Sequence, residues 1–434
     1  MRNIKHWKYL LSFLFGLAVF AACMWPLRPL LNYHEQLHLF RWTTTYLREQ
    51  SSTSGGWVEL GVSFITQFFY WGWLGSLIMA ILLVALQGLC SWLLRLVRLG
   101  HPRFYPLSFI PSVLLLCFVF VPTRYRSEAS FRQSVLYDHL VRHGKWDALV
   151  RHAKAETILS DHALRCVNYA LAIQGRLTDD LFTLEQRGTD ALILDTRHTE
   201  LLPLFSLSDI FFRLGLVNDA ERLAFEAKQY LPANSKSGRL YRRLAEVNLI
   251  NGDSAIAAKY LHVLQSTLFY HEWSNRLNAV LRGEQQFDST HYYFERQRYR
   301  LKQADQLSSN LRLRLEALML ECPDNHLAGD YCEAYDLLRA NYDCVLADEL
   351  WIQQQRSRVP PRAVQECIVG NWVVNHPNDS FPIPVSKKVM EETIYFLRVA
   401  EQNRDMLCPT LCQPPYSQSY WHYYGQFLQR IQER

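Results

Sequence analysis

The chain has 434 residues, 49% of them hydrophobic and 20% charged, with a formal net charge of +5. Residues 1–122 hold nine Lys/Arg against three Asp/Glu, and the remainder holds 37 basic against 38 acidic residues, so the positive excess sits wholly in the apolar N-terminal part. That distribution excludes a simple soluble enzyme, a disordered protein and a small disulfide scaffold. It also marks the basic pI as membrane-flanking charge, with no nucleic-acid footprint.

In chain order, Tyr9–Leu27 is a 19-residue run without a charge, enough to cross a hydrocarbon core of about 30 Å as a helix. Arg2, Lys5 and Lys8 precede it and favour a cytoplasmic N-terminus. The Phe20-Ala21-Ala22-Cys23 stretch resembles a lipoprotein cleavage box. However, Met24-Trp25-Pro26 follows where a polar tether would be needed, so an uncleaved anchor is expected.

The second uncharged run, Leu60–Leu94, has 35 residues. One straight helix of that length would reach about 52 Å, and two full crossings with a turn need about 40 residues. A break at Trp71–Gly75 is expected, where glycines permit a turn and tryptophans suit the headgroup level. This predicts an interfacial or re-entrant helix over 57–70, carrying Glu59, and a true span over 74–97. A third span is expected over 104–123. An odd number of crossings places the protein in the inner membrane as a multi-pass chain with a periplasmic C-terminal region.

From residue 124 the apolar residues follow helical spacing. In Leu201–Pro232, Leu204, Leu207, Phe211 and Leu214 share one face. Gly215 ends the first helix, Ala220, Ala224 and Ala227 give a small-residue face, and Pro232 closes the unit. Close antiparallel packing requires short side chains there. The pattern resembles a tetratricopeptide repeat (TPR), a 34-residue helix-turn-helix unit. Gly238–Phe269 repeats it more loosely, and two further units are indicated around Gly144 and Gly175. Further helices are expected over 311–320, 327–340, 363–374 and 387–401, and a capping helix from the aromatic end Tyr416–Arg434. The fold class expected is all-α: transmembrane helices over 1–123, a TPR-like α-solenoid of hairpins over 124–287, and a C-terminal helical region over 288–434.

Several segments together resemble an uncharacterised Bacteroidota family of multi-pass membrane proteins with a TPR-like tail. They are SFITQFFYWGWLG (63–75), YPLSFIPS (105–112), LAFEAKQYLP (223–232), RLAEVNLINGDSAIAAKYLHVLQSTLFY (243–270) and YSQSYWHYY (416–424). The resemblance implies architecture and supplies no activity. This chain departs from the pattern of further spans before the repeats, since its third run leads directly into Arg124.

Two chemical readings compete. Stacked hairpins present first-helix side chains on a concave surface. The groove positions expected are Phe205, Asp209, Phe212 and Arg213, then Arg242, Glu246 and Leu249, to bind a protein or peptide partner. The alternative is a zinc protease built on His34-Glu35-Gln36-Leu37-His38. There His34 and His38, four apart on a helix, would bind the metal, Glu59 would be the third ligand, and Glu35 would act as general base. His139 and His143 are also four apart, but no acidic or cysteine partner completes a set. A structural subunit of a larger membrane complex is a third reading. Six cysteines crowd the last quarter (Cys322, Cys332, Cys344, Cys367, Cys408, Cys412) and would permit three disulfides. No nucleotide, dinucleotide or nucleophile motif is present. A non-catalytic scaffold without a cofactor is therefore the expected function.

Overall fold

The computed structural model describes residues 3–97, 101–119, 128–193, 200–232, 235–286, 292–302, 310–376 and 379–432. Among these the chain is all-helical, with no strand. It forms two compact units that interleave along the sequence: residues 1–139 with 224–287, and residues 140–223 with 288–434.

In the first unit, two helices are long and apolar enough to cross a membrane, Trp7–Met24 and Gly72–Leu96. They pack together around Val19, Cys23, Met79, Ala80 and Leu83. Gly16 makes room for Val84, which would lie 3.0 Å from a β-carbon there. Polar side chains tie the bundle: Ser12 Oγ donates to Gln87 Oε1 (2.9 Å), Gln87 Nε2 to Ser108 Oγ (2.8 Å) and Ser112 Oγ to the Leu83 carbonyl (3.0 Å). Such bonds matter where water is absent. The segment expected over 57–70 is a helix, Gly56–Thr66, followed by a 3₁₀ turn, Gln67–Tyr70. The third run is a 3₁₀ stretch, Pro102–Phe109, continued by a ten-residue helix, Ile110–Val119. It is not one long α-helix, because Pro106 removes a backbone donor inside it. Residues 120–123 of that expected span lie outside the described residues.

The same unit contains the hairpin Gly238–Asn251 and Ser254–Gln265. Leu244, Ala245, Ala257 and Leu261 are buried in it. Gly252 has φ +90°, and the Asp253 N–H closes the turn on the Asn248 carbonyl at 2.9 Å. The hairpin is fixed to the N-terminal helices. The Trp42 N–H donates to the Ser266 carbonyl (2.7 Å), and Arg239 Nη1 donates to Gln36 Oε1 (2.6 Å) and to both carboxylate oxygens of Asp138 (2.9 and 3.0 Å).

In the second unit, Leu201–Leu214 ends at Gly215 with φ +108°, and the Leu216 N–H returns to the Phe211 carbonyl at 2.9 Å. This is the left-handed helix stop that glycine favours. Gly144 and Gly175 also have positive φ. The helices Leu311–Glu321, His326–Leu338, Arg362–Asn375 and Lys387–Asn403 match the expected positions. The helix Tyr342–Gln355 does not appear among the expectations. The C-terminal helix Tyr420–Gln432 packs on Arg362–Asn375, with Tyr420, Trp421 and Tyr423 buried. All ten cysteines are free thiols, so the six C-terminal ones form no disulfide.

Candidate functional site

The His34–His38 motif begins on the helix Arg28–Leu37, where Pro29 presets the first turn. The helix stops before the second histidine. His38, at the C-cap, has φ −128° and ψ 137°, extended backbone. Burial, with the neighbouring His38, pushes the His34 imidazole down to about 4, so it is neutral. Glu35 is buried, and its Oε1 accepts from the Tyr270 hydroxyl at 3.4 Å. On the same helix, Asn32 Oδ1 lies 3.2 Å from His139 Nδ1. This helix clasps its neighbours, with its glutamate turned inward and away from any water to be activated. Among the described residues, the group of three or more His, Cys, Asp and Glu whose donor atoms lie within 4.8 Å of one another is Cys332, Asp336 and Asp348. His34, His38, Glu35 and Glu59 form no such set.

That second set, in the other unit, is already filled by a protein cation. Arg312 Nε donates to Asp336 Oδ2 at 3.0 Å, and its Nη2 donates to Asp348 Oδ1 and Oδ2 at 2.9 and 3.1 Å. Its Nη1 also pairs with Glu316. Burial raises the Asp336 carboxyl to about 7 despite Arg312, and raises the Cys332 thiol well above its ordinary value. A carboxylate already paired with Arg312 and a thiol held protonated are poor metal ligands. One turn before Asp336 on the helix His326–Leu338, the buried Glu333 pairs with Arg358, which also pairs with Glu349 and lies 3.3 Å from Asp330, itself paired with Arg356 at 3.1 Å. The helices Leu311–Glu321, His326–Leu338 and Tyr342–Gln355 are thus held by buried ion networks.

The expected groove residues are not all on a surface. Phe205 and Phe212 are fully buried in the second unit, and ten other residues of the helix Leu201–Leu214 are buried too. Glu246, in the first unit, is buried between Arg242 (Nε, 2.9 Å) and Arg243 (Nη1, 2.9 Å). These three belong to packing. Asp209, Arg213, Arg242 and Leu249 remain half-exposed. Arg213 lies over the Tyr292 ring at 5.2 Å, and Arg242 over the Trp273 ring at 5.0 Å.

Sequence reasoning missed a cavity of about 690 Å³ in the first unit, whose walls include Arg41, Tyr46, Lys228, Lys236 and Tyr241 together with His38 and Glu59. Its cations are spread over nearly 200 residues of chain, and no spacing rule connects them.

No curated protein and no solved structure matches the chain. A family model does match, over residues 2–136 and 121–426. With nearly the whole length covered, the chain belongs to the family of unknown function DUF6057.

Proposed function

We propose that this protein is a membrane-anchored helical scaffold that binds another protein or peptide in the bacterial cell envelope, without catalysis. The observation that carries the reading is the composition of the first unit. A TPR-like hairpin, Gly238–Gln265, is bonded directly to the helices that follow the first apolar helix, through Arg239, Asp138 and Gln36. A hairpin held in this way on a membrane bundle is pre-organised, which lowers the entropic cost of capturing a partner. The half-exposed Arg242 and Leu249 on that hairpin are its candidate contact residues, within a TPR-like solenoid, and Asp209 and Arg213, half-exposed in the second unit, are separate candidates there. In this reading the anchor is multi-pass in the inner membrane and the repeats face the periplasm.

The test uses the full chain in its native membrane. A photo-crosslinking residue at 242 or 249 should give one discrete adduct, lost on Arg242→Glu while the protein still accumulates in the carbonate-resistant membrane fraction, and one at 209 or 213 tests the second unit by itself. Extraction of the chain by carbonate, or no adduct from any of the four positions, overturns the proposal.

A further inference from the structure

The cavity in the first unit is walled by the loop after Arg28–Leu37, by the helices Thr44–Ser52 and Gly56–Thr66, and by residues between Lys228 and Tyr241. Three cations open onto it: Arg41, Lys228 and Lys236. Among the described residues, none of them has a carboxylate partner. Arg41 rests on the Tyr46 ring at 4.8 Å, and its buried Nε has no hydrogen-bond partner. Lys236 lies 5.9 Å from the Tyr241 ring centre. Carboxylates are present but do not neutralise these groups. Glu59 accepts from Ser235 Oγ at 3.1 Å, and Glu49 lines the wall without an ion pair.

A half-buried guanidinium with an unpaired N–H is unfavourable unless something accepts from it. Its planar fork matches oxyanions, and phosphate above all. Burial, then Arg41 and Lys228, depress the Lys236 ammonium below its ordinary value against the pull of Glu49, which reports the same crowding of positive charge. The space, about 690 Å³, admits a bare phosphate as well as a phosphoester with an organic part.

The position of the cavity narrows the source. The helix Gly56–Thr66 turns Glu59 and Ser63 toward it, while Trp57, Val58 and Phe64 of the same helix are exposed, as is Trp42 beside Arg41. Exposed tryptophans next to an apolar strip mark headgroup depth.

We infer that this cavity binds a phosphate group, held by Arg41, Lys228 and Lys236 and carried by a phospholipid headgroup or by a free phosphate anion. The site is separate from the scaffold contacts and does not depend on them.

The experiment is calorimetric titration of the full chain, purified in a phosphate-free maltoside detergent, with two probes: dihexanoylphosphatidic acid and inorganic phosphate. Saturable binding is expected. It should weaken roughly tenfold or more in Arg41→Gln and in Lys236→Gln, since each removes a charge-assisted hydrogen bond. It should be unchanged in Arg48→Gln, an exposed position outside the cavity. Lys228→Gln, also exposed, gives a variant whose folding is not at risk, and circular dichroism melts verify the others. Binding of the lipid probe alone identifies the headgroup as the source, and equal binding of inorganic phosphate identifies the free anion. No saturable binding of either probe, or wild-type binding in all three cavity variants, overturns the inference.

Discussion

Tyr270 lays its ring against Gly238 so closely that a β-carbon there would sit 2.5 Å from ring Cε2 and 2.9 Å from the hydroxyl oxygen. The same hydroxyl reaches Glu35. The ring cannot swing away, because Leu39 and Leu264 pack with it and Tyr70 meets it edge-on at 5.1 Å. Gly238→Ala should therefore overpack this junction and lower stability by about 1–3 kcal/mol, despite the better helix propensity of alanine. Tyr270→Phe, which removes only the hydroxyl, should cost about 1 kcal/mol. Thermal melts of the full chain in detergent would check both. An unchanged midpoint in Gly238→Ala would mean that the hairpin is not seated as described.

In the second unit Trp421 plays a comparable part. Its indole Nε1 donates to the Glu366 carbonyl at 2.9 Å, its ring fills the space that Gly370 leaves open, and the neighbouring Tyr420 N–H donates to Glu366 Oε2 at 2.7 Å. The C-terminal aromatics are thus a cap on the helix Arg362–Asn375. Trp421→Ala should cost about 3–5 kcal/mol and open the last helix to protease. Survival of the full-length band in limited proteolysis, at the wild-type rate, would contradict that role.

The Arg312 network predicts a pH dependence of stability. Burial raises the Asp336 carboxyl from its ordinary 3.8 to about 7 in the folded chain. A raised carboxyl binds its proton more tightly when folded. Its contribution is therefore complete below about pH 4 and declines as pH rises through 7. Asp348 is shifted in the same direction by burial, and the two share Arg312. Melting midpoints of the full chain should fall between pH 5 and 7.5. Asp336→Asn, which cannot ionise but can still accept from Arg312, should flatten that fall. An identical slope in the variant would remove Asp336 as its cause.

The same network explains what the sequence concealed. In the helix Tyr342–Gln355 the buried residues are Val345, Asp348, Glu349 and Ile352, so half of the inward face reads as polar and the apolar period disappears. The helix His326–Leu338 hides Asp330, Glu333 and Asp336 in the same way, but enough alanine and leucine remain to reveal it. The turn glycines were legible because left-handed backbone needs them whatever surrounds the hairpin. The groove was misread at Phe205 and Phe212, since helical period alone cannot tell a helix buried all round from one with an open face. The H-E-x-x-H spacing assumes one helix through both histidines, whereas the helix ends at Leu37. The cavity cations lie far apart in sequence, and only the packed fold brings them together.

In the proposed reading, the third apolar segment would decide on which side of the membrane the C-terminal region stands. Pro102–Phe109 is 3₁₀ and Ile110–Val119 is α-helical, and at their respective rises of about 2.0 and 1.5 Å per residue the two reach about 31 Å. That matches a hydrocarbon core of about 30 Å, because the tighter helix stretches fewer residues over the same depth. Phe104, Leu107, Ile110, Val113 and Leu114 are exposed along it, giving a lipid-compatible face from end to end. With Trp7–Met24 and Gly72–Leu96 it would make three crossings, and the C-terminus should lie opposite the N-terminus. A reporter pair fused after Arg434, one partner active only in the cytoplasm and one only outside, should therefore signal outside. Leu107→Arg combined with Leu114→Arg places two charges in the apolar face and should return the signal to the cytoplasm. A cytoplasmic signal from the wild-type chain would mean that Pro102–Val119 lies along the interface, and would move the search for a partner to the cytosol.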